Sequence, residues 1–312
     1  MGKALVLLSG GLDSRLALII MKELLGESNV EAVYFILPFE EYSNRKEDVI
    51  GFSKEQKVKL HIINCVEGTL LKEYMDIIRN PQFGRGAGLN PCIDCHIFML
   101  QKAKKLARKI KADIIVTGEV VGERPMSQRE DILYLIEKQA KLQGKILRPL
   151  SAKLLPPTEA ENKGLIDRNK LESIRGRQRK RQMELAEKFR ISYPNPAGGC
   201  SLCYPDFCKK VTPVLKSRKN ITAFDIALFT IGRHFENGNI ILGKNEKENE
   251  ALEYTAKKHR KGIIITPDQP GPSALIKSKK YEREAKELIR RHSKHTITGF
   301  QLISHRLSKG PY

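Results

Sequence analysis

The chain of 312 residues is long enough for two domains with separate cores. Its 56 lysine and arginine residues exceed its 36 aspartate and glutamate residues, and the resulting formal net charge of +20 indicates a nucleic acid partner. A surface adapted to high temperature would add charge of both signs and would not leave this imbalance. No apolar run is long enough to span a membrane and residues 1–3 lead directly into a strand, so we expect a cytoplasmic protein without membrane contact.

The first predicted elements are a strand, a glycine-containing loop and a helix. The apolar run Ala4–Leu8 predicts a buried parallel strand, and Arg15–Lys22 predicts a helix. Between them lies Ser9–Ser14, with the sequence Ser-Gly-Gly-Leu-Asp-Ser. The main-chain N–H groups of such a loop and the positive end of the helix dipole face the same place, so the loop predicts a phosphate site.

The side chains of this loop indicate a metal-bound nucleotide. Gly10 and Gly11 let the main chain approach an anion, and Ser9 and Ser14 can donate hydroxyl hydrogen bonds to phosphate. An aspartate beside a polyanion, Asp13, indicates that a Mg2+ ion lies between them. The same six residues are also compatible with an ordinary glycine turn and helix cap.

The loop Ser9–Ser14 resembles the SGGxDS signature of the PP-loop ATP pyrophosphatases, which cleave ATP to AMP and pyrophosphate while they adenylate a substrate. This family includes the tRNA thiolation enzymes, tRNA lysidine synthetase, GMP synthetase and 7-cyano-7-deazaguanine synthase. The resemblance implies that ATP and Mg2+ are cofactors and that Asp13 is catalytic. It leaves the substrate open.

Strands and helices alternate through the first half of the chain. This alternation predicts an α/β fold with a doubly wound parallel sheet, whose ligands bind beyond the carboxyl ends of the strands. The nucleotide is therefore expected near Ser9, Tyr34 and Asn64, and the strand end at Thr117 and Gly118 is expected to reach its ribose or phosphates. The later strands are predicted at Val30–Leu37, Lys59–Asn64, Asp113–Glu119 and Lys145–Leu150, and the helices at about Tyr42–Lys57, Thr69–Ile78 and Ile97–Lys109.

Pro156 and Pro157 predict the end of an ATP-binding domain, residues 1–157. Residues 158–219 are expected to carry a basic helix and a cysteine-bearing loop that complete the catalytic site, and residues 220–312 a smaller α+β domain. The basic residues of the helical run favour contact with an RNA phosphate backbone over a merely solvated surface. They are Arg168, Lys170, Arg175, Arg177, Arg179, Lys180 and Arg181, opposed only by Glu172.

The last 90 residues or so form the predicted α+β domain. An Asn-Gly turn at residues 237–239 between strand-like runs predicts a hairpin. Two further strands, Gly262–Pro267 and Ala274–Lys277, precede a basic helix from Tyr281 to His292. The segments at 241–245 and 270–275 resemble the NFACT-R type of RNA-associated domain, and this resemblance implies contact with RNA.

Four of the six cysteines form two pairs with the same spacing. Cys92 and Cys95 open a helix, whereas Cys200 and Cys203 lie in the proline- and glycine-rich segment 193–208, which predicts a constrained loop. In the cytosol these cysteines indicate metal ligands or reactive thiols rather than disulfides. Four thiolates suit a structural zinc site, three suit a [4Fe–4S] cluster with one open iron, and a nucleophilic pair suits a persulfide carrier.

The segment Asn-Pro-Cys-Ile-Asp-Cys at residues 90–95 resembles the catalytic-loop cysteines of PP-loop tRNA thiolases. The Pro-Ala-Gly-Gly setting of Cys200, and Gly118 with Ser127–Gln128, resemble 4-thiouridine synthetases, here without their usual N-terminal RNA-binding domain. The resemblance implies that Cys92, Cys95 and Cys200 are catalytic and ligate a [4Fe–4S] cluster. The extra thiols of Cys203 and Cys208 depart from the family pattern, so Cys203 competes as the third ligand and zinc remains the alternative metal.

We therefore expect an ATP-dependent tRNA sulfurtransferase that adenylates a uridine carbonyl oxygen and replaces it with sulfur from sulfide or a persulfide carrier. The resemblance favours 4-thiouridine as the product, with 2-thiouridine next. Two alternatives are another PP-loop adenylating or amidating enzyme with structural zinc, and an RNA-binding module with a degenerate ATP site. The intact Ser9, Asp13 and Ser14 argue against an RNA-binding module with a degenerate ATP site. A homodimer is one possible assembly of this chain.

Overall fold

The computed structural model describes residues 2–40, 45–194 and 199–305. The chain divides into two compact units, of which the first contains residues 1–65 and 73–203 and the second contains residues 66–72 and 204–312. The division into domains at residues 157 and 219 stays a prediction. No helix in the described ranges is both long enough and apolar enough to cross a membrane.

The first unit contains a five-stranded parallel sheet in the order β3-β2-β1-β4-β5, which confirms the predicted α/β fold. Its strands are β1 (Ala4–Leu7), β2 (Val30–Ile36), β3 (Lys59–Asn64), β4 (Ile114–Val116) and β5 (Ile146–Leu147). The helices are α1 (Leu12–Leu25), α2 (Arg45–Glu55), α3 (Gly68–Arg79), α4 (Cys92–Ile110), α5 (Glu130–Ala140), α6 (Glu159–Asn162) and α7 (Lys180–Lys188). The first turn of α3, up to residue 72, is assigned to the second unit. The predicted start of the second helix, Tyr42, lies outside the described residues.

The central strand β1 determines where a ligand can bind. It pairs with β2 on one side and β4 on the other, and Ala4, Leu5 and Val6 are fully buried, as expected for a strand covered on both faces. From β1 the chain continues to β2 and β3 on one side of the sheet, and later returns to β4 and β5 on the other side. At such a point, here between β1 and β4, a parallel sheet has a crevice at the carboxyl ends of its strands. Ser9 follows β1 and Thr117 follows β4, so both lie at this crevice.

The prediction of one helical run through residues 168–181 is wrong. Only Arg168–Lys170 forms a short 3-10 turn, and α7 begins at Lys180. In between, the N–H groups of Glu172, Ile174 and Gly176 donate to the carbonyls of Pro149, Leu150 and Val121 at 2.8–2.9 Å. These bonds to a distant part of the chain replace the local bonds of a helix, and Gly176 has a left-handed φ of +82°.

The predicted loop 193–208 is helical at its end, because Pro205 at the first turn favours a helix start. Residues 195–198 of this loop lie outside the described residues. The isolated pairing of Cys200 with Glu40 and the hydrogen bond from Ser201 N–H to the Phe39 carbonyl, 2.9 Å, attach the loop to the segment that follows β2. The pairing brings the cysteine loop to the carboxyl end of the sheet.

The second unit contains a five-stranded antiparallel sheet in the order β10-β8-β9-β7-β6, with apolar clusters on both faces. The predicted hairpin is confirmed, since β6 and β7 pair across a turn in which Asn237 has a φ of +51°. The strands are β6 (Arg233–Phe235), β7 (Ile240–Leu242), β8 (Ile263–Pro267), β9 (Ala274–Ile276) and β10 (Phe300–Ser304). The helices are α8 (Pro205–Ser217), α9 (Ala223–Phe229), α10 (Glu246–His259) and α11 (Glu282–His292).

Candidate functional site

A cavity of about 360 Å³ lies at the carboxyl ends of the strands of the first unit. Its wall combines the loop after β1, the ends of β2 and β4, the start of α4 and the cysteine loop. The cavity therefore brings together two groups of residues that are far apart in the sequence. The predicted site residues in its wall are Ser9, Gly11, Asp13, Ser14, Tyr34, Cys92, Cys95, Thr117, Gly118, Cys200 and Cys203.

The loop after β1 has the geometry of a tight strand-to-helix turn. Gly10 has a φ of +83°, and a β-carbon there would lie 2.7 Å from Val49 Cγ2. The Ser14 hydroxyl donates to the Gly11 carbonyl at 2.9 Å, and the Ser9 hydroxyl donates to Ser14 Oγ at 3.2 Å. Gly11 is the N-cap of α1 and lines the cavity, and a β-carbon there would lie 3.7 Å from Ser9 Oγ, an ordinary contact distance.

Arg15 holds this loop from the buried side. The side chain is 2% exposed, and its guanidinium donates to the Gly10 and Ser192 carbonyls at 2.8 Å, pairs with Asp48 and lies over the Phe52 ring. Sequence reasoning missed this role. An arginine next to the apolar helical residues from Leu16 onward was the available signal, because a buried guanidinium needs several acceptors.

Gly118 lets the end of β4 approach the loop. A β-carbon at this position would lie 2.6 Å from the Asp13 carbonyl carbon and 2.6 Å from the Ser14 nitrogen. Both neighbours are main-chain atoms and cannot rotate away, so only glycine fits here. Gly118 therefore keeps the loop in contact with β4, and its place in a nucleotide site stays a prediction.

We expect Gly118→Ala to destabilise the fold by about 1–3 kcal/mol through overpacking and to weaken ATP binding, because the loop must move away from β4. Thermal unfolding and ATP titration measure both effects. Gly51→Ala is the matched control, since Gly51 lies in α2 with open space around it. Unchanged stability and ATP affinity in Gly118→Ala would contradict the close packing.

Two carboxylates of the cavity wall share a buried space. Asp13 Oδ1 and Glu123 Oε2 are buried without a hydrogen-bond partner among the described residues. Arg179 donates two hydrogen bonds to Glu123 Oε1, at 3.1 and 2.5 Å, and lies 3.8 Å from Asp13 Oδ2. Burial and the charge of Glu123 raise the pKa of Asp13 to about 6, although Arg179 opposes the shift.

Paired carboxylate oxygens without protein partners are the ligands that Mg2+ prefers. The donor chemistry of Asp13 and Glu123 therefore fits a Mg2+ ion beside the phosphate loop. Sequence reasoning identified Asp13 but missed Glu123. The two residues are 110 positions apart in the chain, so no local pattern indicates that they lie together. Such an ion would also favour the ionised form of Asp13.

A buried ion-pair network supports the wall behind the cavity. Glu119 accepts hydrogen bonds from His96 at 2.8 Å, from Thr117 at 2.9 Å and from Arg148 at 3.0 Å, and Arg148 also pairs with Glu137. Burial alone would raise the pKa of Glu119, but Arg148 and His96 hold it at about 2. The Thr117 hydroxyl hydrogen is committed to Glu119, so the network fixes this strand end. Its direct contact with ATP stays a prediction.

Tyr34 is fixed in a similar way at the end of β2. Its hydroxyl donates to Glu40 Oε2 at 2.5 Å, and Arg45 pairs with Glu40 at 3.4 Å. Burial is the main cause, and the hydrogen bond with Glu40 the second, that raises the pKa of Tyr34 well above its ordinary value. Tyr34 therefore stays neutral and anchors the segment to which the cysteine loop is attached.

The four cysteines of the two pairs with equal spacing line the same cavity as the loop Ser9–Ser14. Cys92 accepts a hydrogen bond from the Asn90 side chain at 3.2 Å, and Cys95 lies 3.3 Å from the Tyr74 hydroxyl. Burial raises the pKa of Cys92, and raises that of Cys95 to about 12. The hydrogen bond with Cys203, together with burial, raises the pKa of Cys200. Burial thus disfavours the thiolate forms of Cys92, Cys95 and Cys200 in the free protein.

Soft thiol ligands suit zinc or an iron–sulfur cluster, so the chemistry of the four side chains fits both predicted metals. Within residues 2–40, 45–194 and 199–305, no group of three or more His, Cys, Asp or Glu side chains is arranged to hold a metal ion. Ligation by Cys92, Cys95 and Cys200 stays a prediction. The remaining cysteines do not line the cavity: Cys65 is buried and Cys208 belongs to α8 of the second unit.

The predicted RNA-contacting residues fall into two groups. Four of the seven are paired with acids: Arg168 with Glu161, Arg175 with Glu130, Arg179 with Glu123 and Arg181 with Glu172. Arg179 also belongs to the cavity wall. The other three, Lys170, Arg177 and Lys180, are exposed and have no ion pair within the described ranges.

Known proteins resemble the first half of the chain. The family model described as Thiamine biosynthesis protein (ThiI) matches residues 1–153. Two relatives, from Thermoanaerobacter sp. (strain X514) and Thermoanaerobacter pseudethanolicus (strain ATCC 33223 / 39E), are each named Probable tRNA sulfurtransferase. Each is 33% identical over 156 residues, which is 48% of this chain and 37% of the relative. The chain thus matches little more than a third of the length of these relatives.

A solved structure of the glutamine-dependent NAD+ synthetase from Acinetobacter baumannii, in complex with adenosine diphosphate, is also similar to part of this chain. The alignment covers 38% of this chain and 22% of that chain, with 22% sequence identity and a TM-score of 0.31. The resemblance of the C-terminal residues to the NFACT-R type of domain stays a prediction.

Proposed function

We propose, from the match of residues 1–153 to the ThiI family model, that the chain is an ATP-dependent tRNA sulfurtransferase of the PP-loop type. The product is 4-thiouridine, with 2-thiouridine as the nearest alternative. One observation carries the proposal: the loop Ser9–Ser14 and the thiols of Cys92, Cys95, Cys200 and Cys203 line one cavity. A reaction that first activates a carbonyl with ATP and then delivers sulfur needs both groups at the same place.

In the first step the loop Ser9–Ser14 binds the pyrophosphate part of ATP, and Asp13 and Glu123 are the residues that would hold Mg2+. The metal would neutralise negative charge on the phosphates. The uridine carbonyl oxygen forms a bond to the α-phosphorus while the bond to the bridging oxygen breaks. Pyrophosphate leaves with the electron pair, and the uracil N3 proton passes to solvent. The activation is needed because a uracil carbonyl oxygen is a poor leaving group.

In the second step a hydrosulfide ion attacks the carbon that carries the AMP group. The carbon–oxygen bond breaks, AMP leaves with its electron pair, and the proton of the sulfur moves to N3 to give the thiocarbonyl. When a cysteine persulfide delivers the sulfur instead, its terminal sulfur attacks in the same way. A neighbouring thiol then releases the product by forming a disulfide, which a dithiol reductant reopens.

We propose Cys92, Cys95 and Cys200 as ligands of a [4Fe–4S] cluster, with Cys203 as the competing third ligand and zinc as the alternative metal. A cluster held by three thiolates would supply an iron with an open position for the sulfur to be transferred. Cation binding would favour the thiolate forms that burial disfavours in the free protein.

Mass spectrometry of nucleosides tests the proposal. We expect unmodified tRNA, incubated anaerobically with the protein, ATP, Mg2+ and sulfide, to gain a thiouridine, and digestion to nucleosides separates 4-thiouridine from 2-thiouridine. Omission of ATP is the control and should prevent the modification. Consumption of ATP without any thiolated nucleoside, across total tRNA, would reject the sulfurtransferase proposal and favour another PP-loop activity.

We also propose that Lys170, Arg177 and Lys180 contact the RNA backbone, because their charges are exposed and unmatched. Changing all three to glutamate should weaken tRNA binding and lower the slope of log K against log salt by about three, since each phosphate contact releases counterions. The matched control changes three exposed basic residues of α4, Lys105, Arg108 and Lys109, by the same total charge. Equal loss of affinity in both variants would show a general charge effect and reject this contact surface.

A further inference from the structure

The turn between β4 and α5 carries a positive side chain that the reaction above does not use. Arg124 lines the cavity, and its guanidinium has no ion pair or hydrogen bond with any residue of the described ranges. The two other arginines of the cavity wall differ, because Arg45 pairs with Glu40 and Arg179 pairs with Glu123. The charge of Arg124 is therefore available to an anionic ligand.

Hydrogen bonds fix the backbone of this turn. The Arg124 N–H donates to Gln128 Oε1 at 3.1 Å, and the Gln128 N–H donates to the Arg124 carbonyl at 2.9 Å. The Gly122 N–H donates to the Gln128 carbonyl at 2.7 Å. Gln128 is buried and also lines the cavity. Arg124 thus projects from a preorganised turn rather than from a loose loop.

Arg124 shares the cavity wall with residues of both functional groups. Asp13 of the loop Ser9–Ser14 and the cysteine Cys92 line the same cavity as Arg124. Glu123, the residue before it, is tied to Arg179 beside Asp13. Arg124 therefore lies in the wall of the same cavity as the loop Ser9–Ser14 and the thiols.

The reaction proposed above requires the transferred phosphoryl group to occupy this cavity. Its phosphorus is bonded to pyrophosphate before the first step and to the uridine oxygen after it. Sulfur then attacks the carbon next to that oxygen, so the group lies between the loop and the thiols. A guanidinium there can donate two parallel hydrogen bonds to phosphoryl oxygens, whose charge changes during the transfer.

We propose that Arg124 is a catalytic residue that contacts the α-phosphoryl group of ATP during its transfer to the RNA, an assignment that rests on the proposed function. Arg124 stabilises the phosphoryl oxygens as the uridine oxygen bonds to phosphorus and pyrophosphate leaves, while the N3 proton of the uracil passes to solvent. The loop Ser9–Ser14, with the Mg2+ that Asp13 and Glu123 would hold, would bind the other two phosphates, so we expect Arg124 to contribute little to ground-state binding of ATP.

Single-turnover rates and equilibrium ATP binding test this assignment in the full chain. With saturating ATP and tRNA, Arg124→Ala should slow pyrophosphate release by about 100-fold, whereas the Kd for ATP should change by less than about threefold. Arg124→Lys should recover part of the rate, because it keeps the charge and loses the second hydrogen bond. The matched control is Arg129→Ala, since Arg129 is exposed, pairs with Asp131 and lies outside the cavity wall.

A wild-type rate in Arg124→Ala, or a rate that higher ATP concentrations restore, would overturn the assignment while the proposed function stands. An equal loss in Arg129→Ala would also overturn it, because the effect would then be a general one of charge. If the wild-type protein binds ATP but releases no pyrophosphate with tRNA, the proposed function fails, and the role of Arg124 fails with it. Thermal shifts on ATP addition confirm that each variant is folded.

Discussion

We expect Asp13→Ala to lower tRNA-dependent pyrophosphate release by a factor on the order of 10³. The variant removes one of two carboxylates that would hold Mg2+ beside the phosphate loop and leaves the charge of the leaving pyrophosphate without compensation. Release of pyrophosphate from labelled ATP measures the loss. Asp131→Ala is the matched control, because Asp131 is an exposed aspartate of the same unit that pairs with Arg129.

The same substitution should not unfold the protein. Burial raises the pKa of Asp13 to about 6, so the folded state disfavours the ionised carboxylate at neutral pH. The free wild-type protein should therefore gain stability as the pH falls from about 6 toward the ordinary range of aspartate, and Asp13→Ala should lose this dependence. Unchanged pyrophosphate release in a folded Asp13→Ala variant would remove the assignment of the loop as an ATP pyrophosphatase site.

The second large effect concerns the thiols of the cavity. Replacing Cys92, Cys95 or Cys200 by alanine should stop thiolation while ATP binding survives, because the loop Ser9–Ser14, which is proposed to bind ATP, contains no cysteine. If they ligate a [4Fe–4S] cluster, anaerobically purified wild-type protein should be brown and each variant colourless. Visible spectra measure the colour, metal analysis measures the bound iron, and nucleoside mass spectrometry measures thiolation.

Three further cysteine variants separate the models. Cys65→Ala and Cys208→Ala should retain thiolation, because neither thiol lines the cavity. Cys203→Ala should have little effect if three thiolates hold a cluster, but should release the metal if four cysteines hold zinc. Colourless anaerobic protein that contains stoichiometric zinc and is active without iron would reject the cluster.

Patterns of neighbouring residues were sufficient to predict the sheet of the first unit. Apolar runs predicted its strands, with β2 at Val30–Ile36 close to the expected Val30–Leu37, because burial on both faces leaves a strand few polar positions. The Asn-Gly signal likewise predicted the hairpin of β6 and β7. Elements whose hydrogen bonds are local, or whose burial is nearly complete, can be read from local sequence.

Elements that depend on distant partners could not be predicted in this way. Residues 171–176 look helical by composition, but their N–H groups bond to the segment after β5 and to Val121. Glu123 and Arg179 meet across 56 positions, and Glu119 and Arg148 across 29. Nothing in the local pattern distinguishes these ion pairs from exposed charges. The basic run 168–181 therefore looked uniform, although it contains both buried pairs and free surface charges.

The central claim is that ATP activation and sulfur delivery occur in one cavity, and the stoichiometry of a single turnover tests it most directly. Protein, ATP, Mg2+ and unmodified tRNA are first mixed without a sulfur source, and sulfide is then added anaerobically. We predict that pyrophosphate appears in the first phase, and that AMP and thiouridine then appear together in amounts equal to that pyrophosphate. Thiouridine formed without AMP, or AMP released without thiouridine after sulfide is added, would contradict the claim.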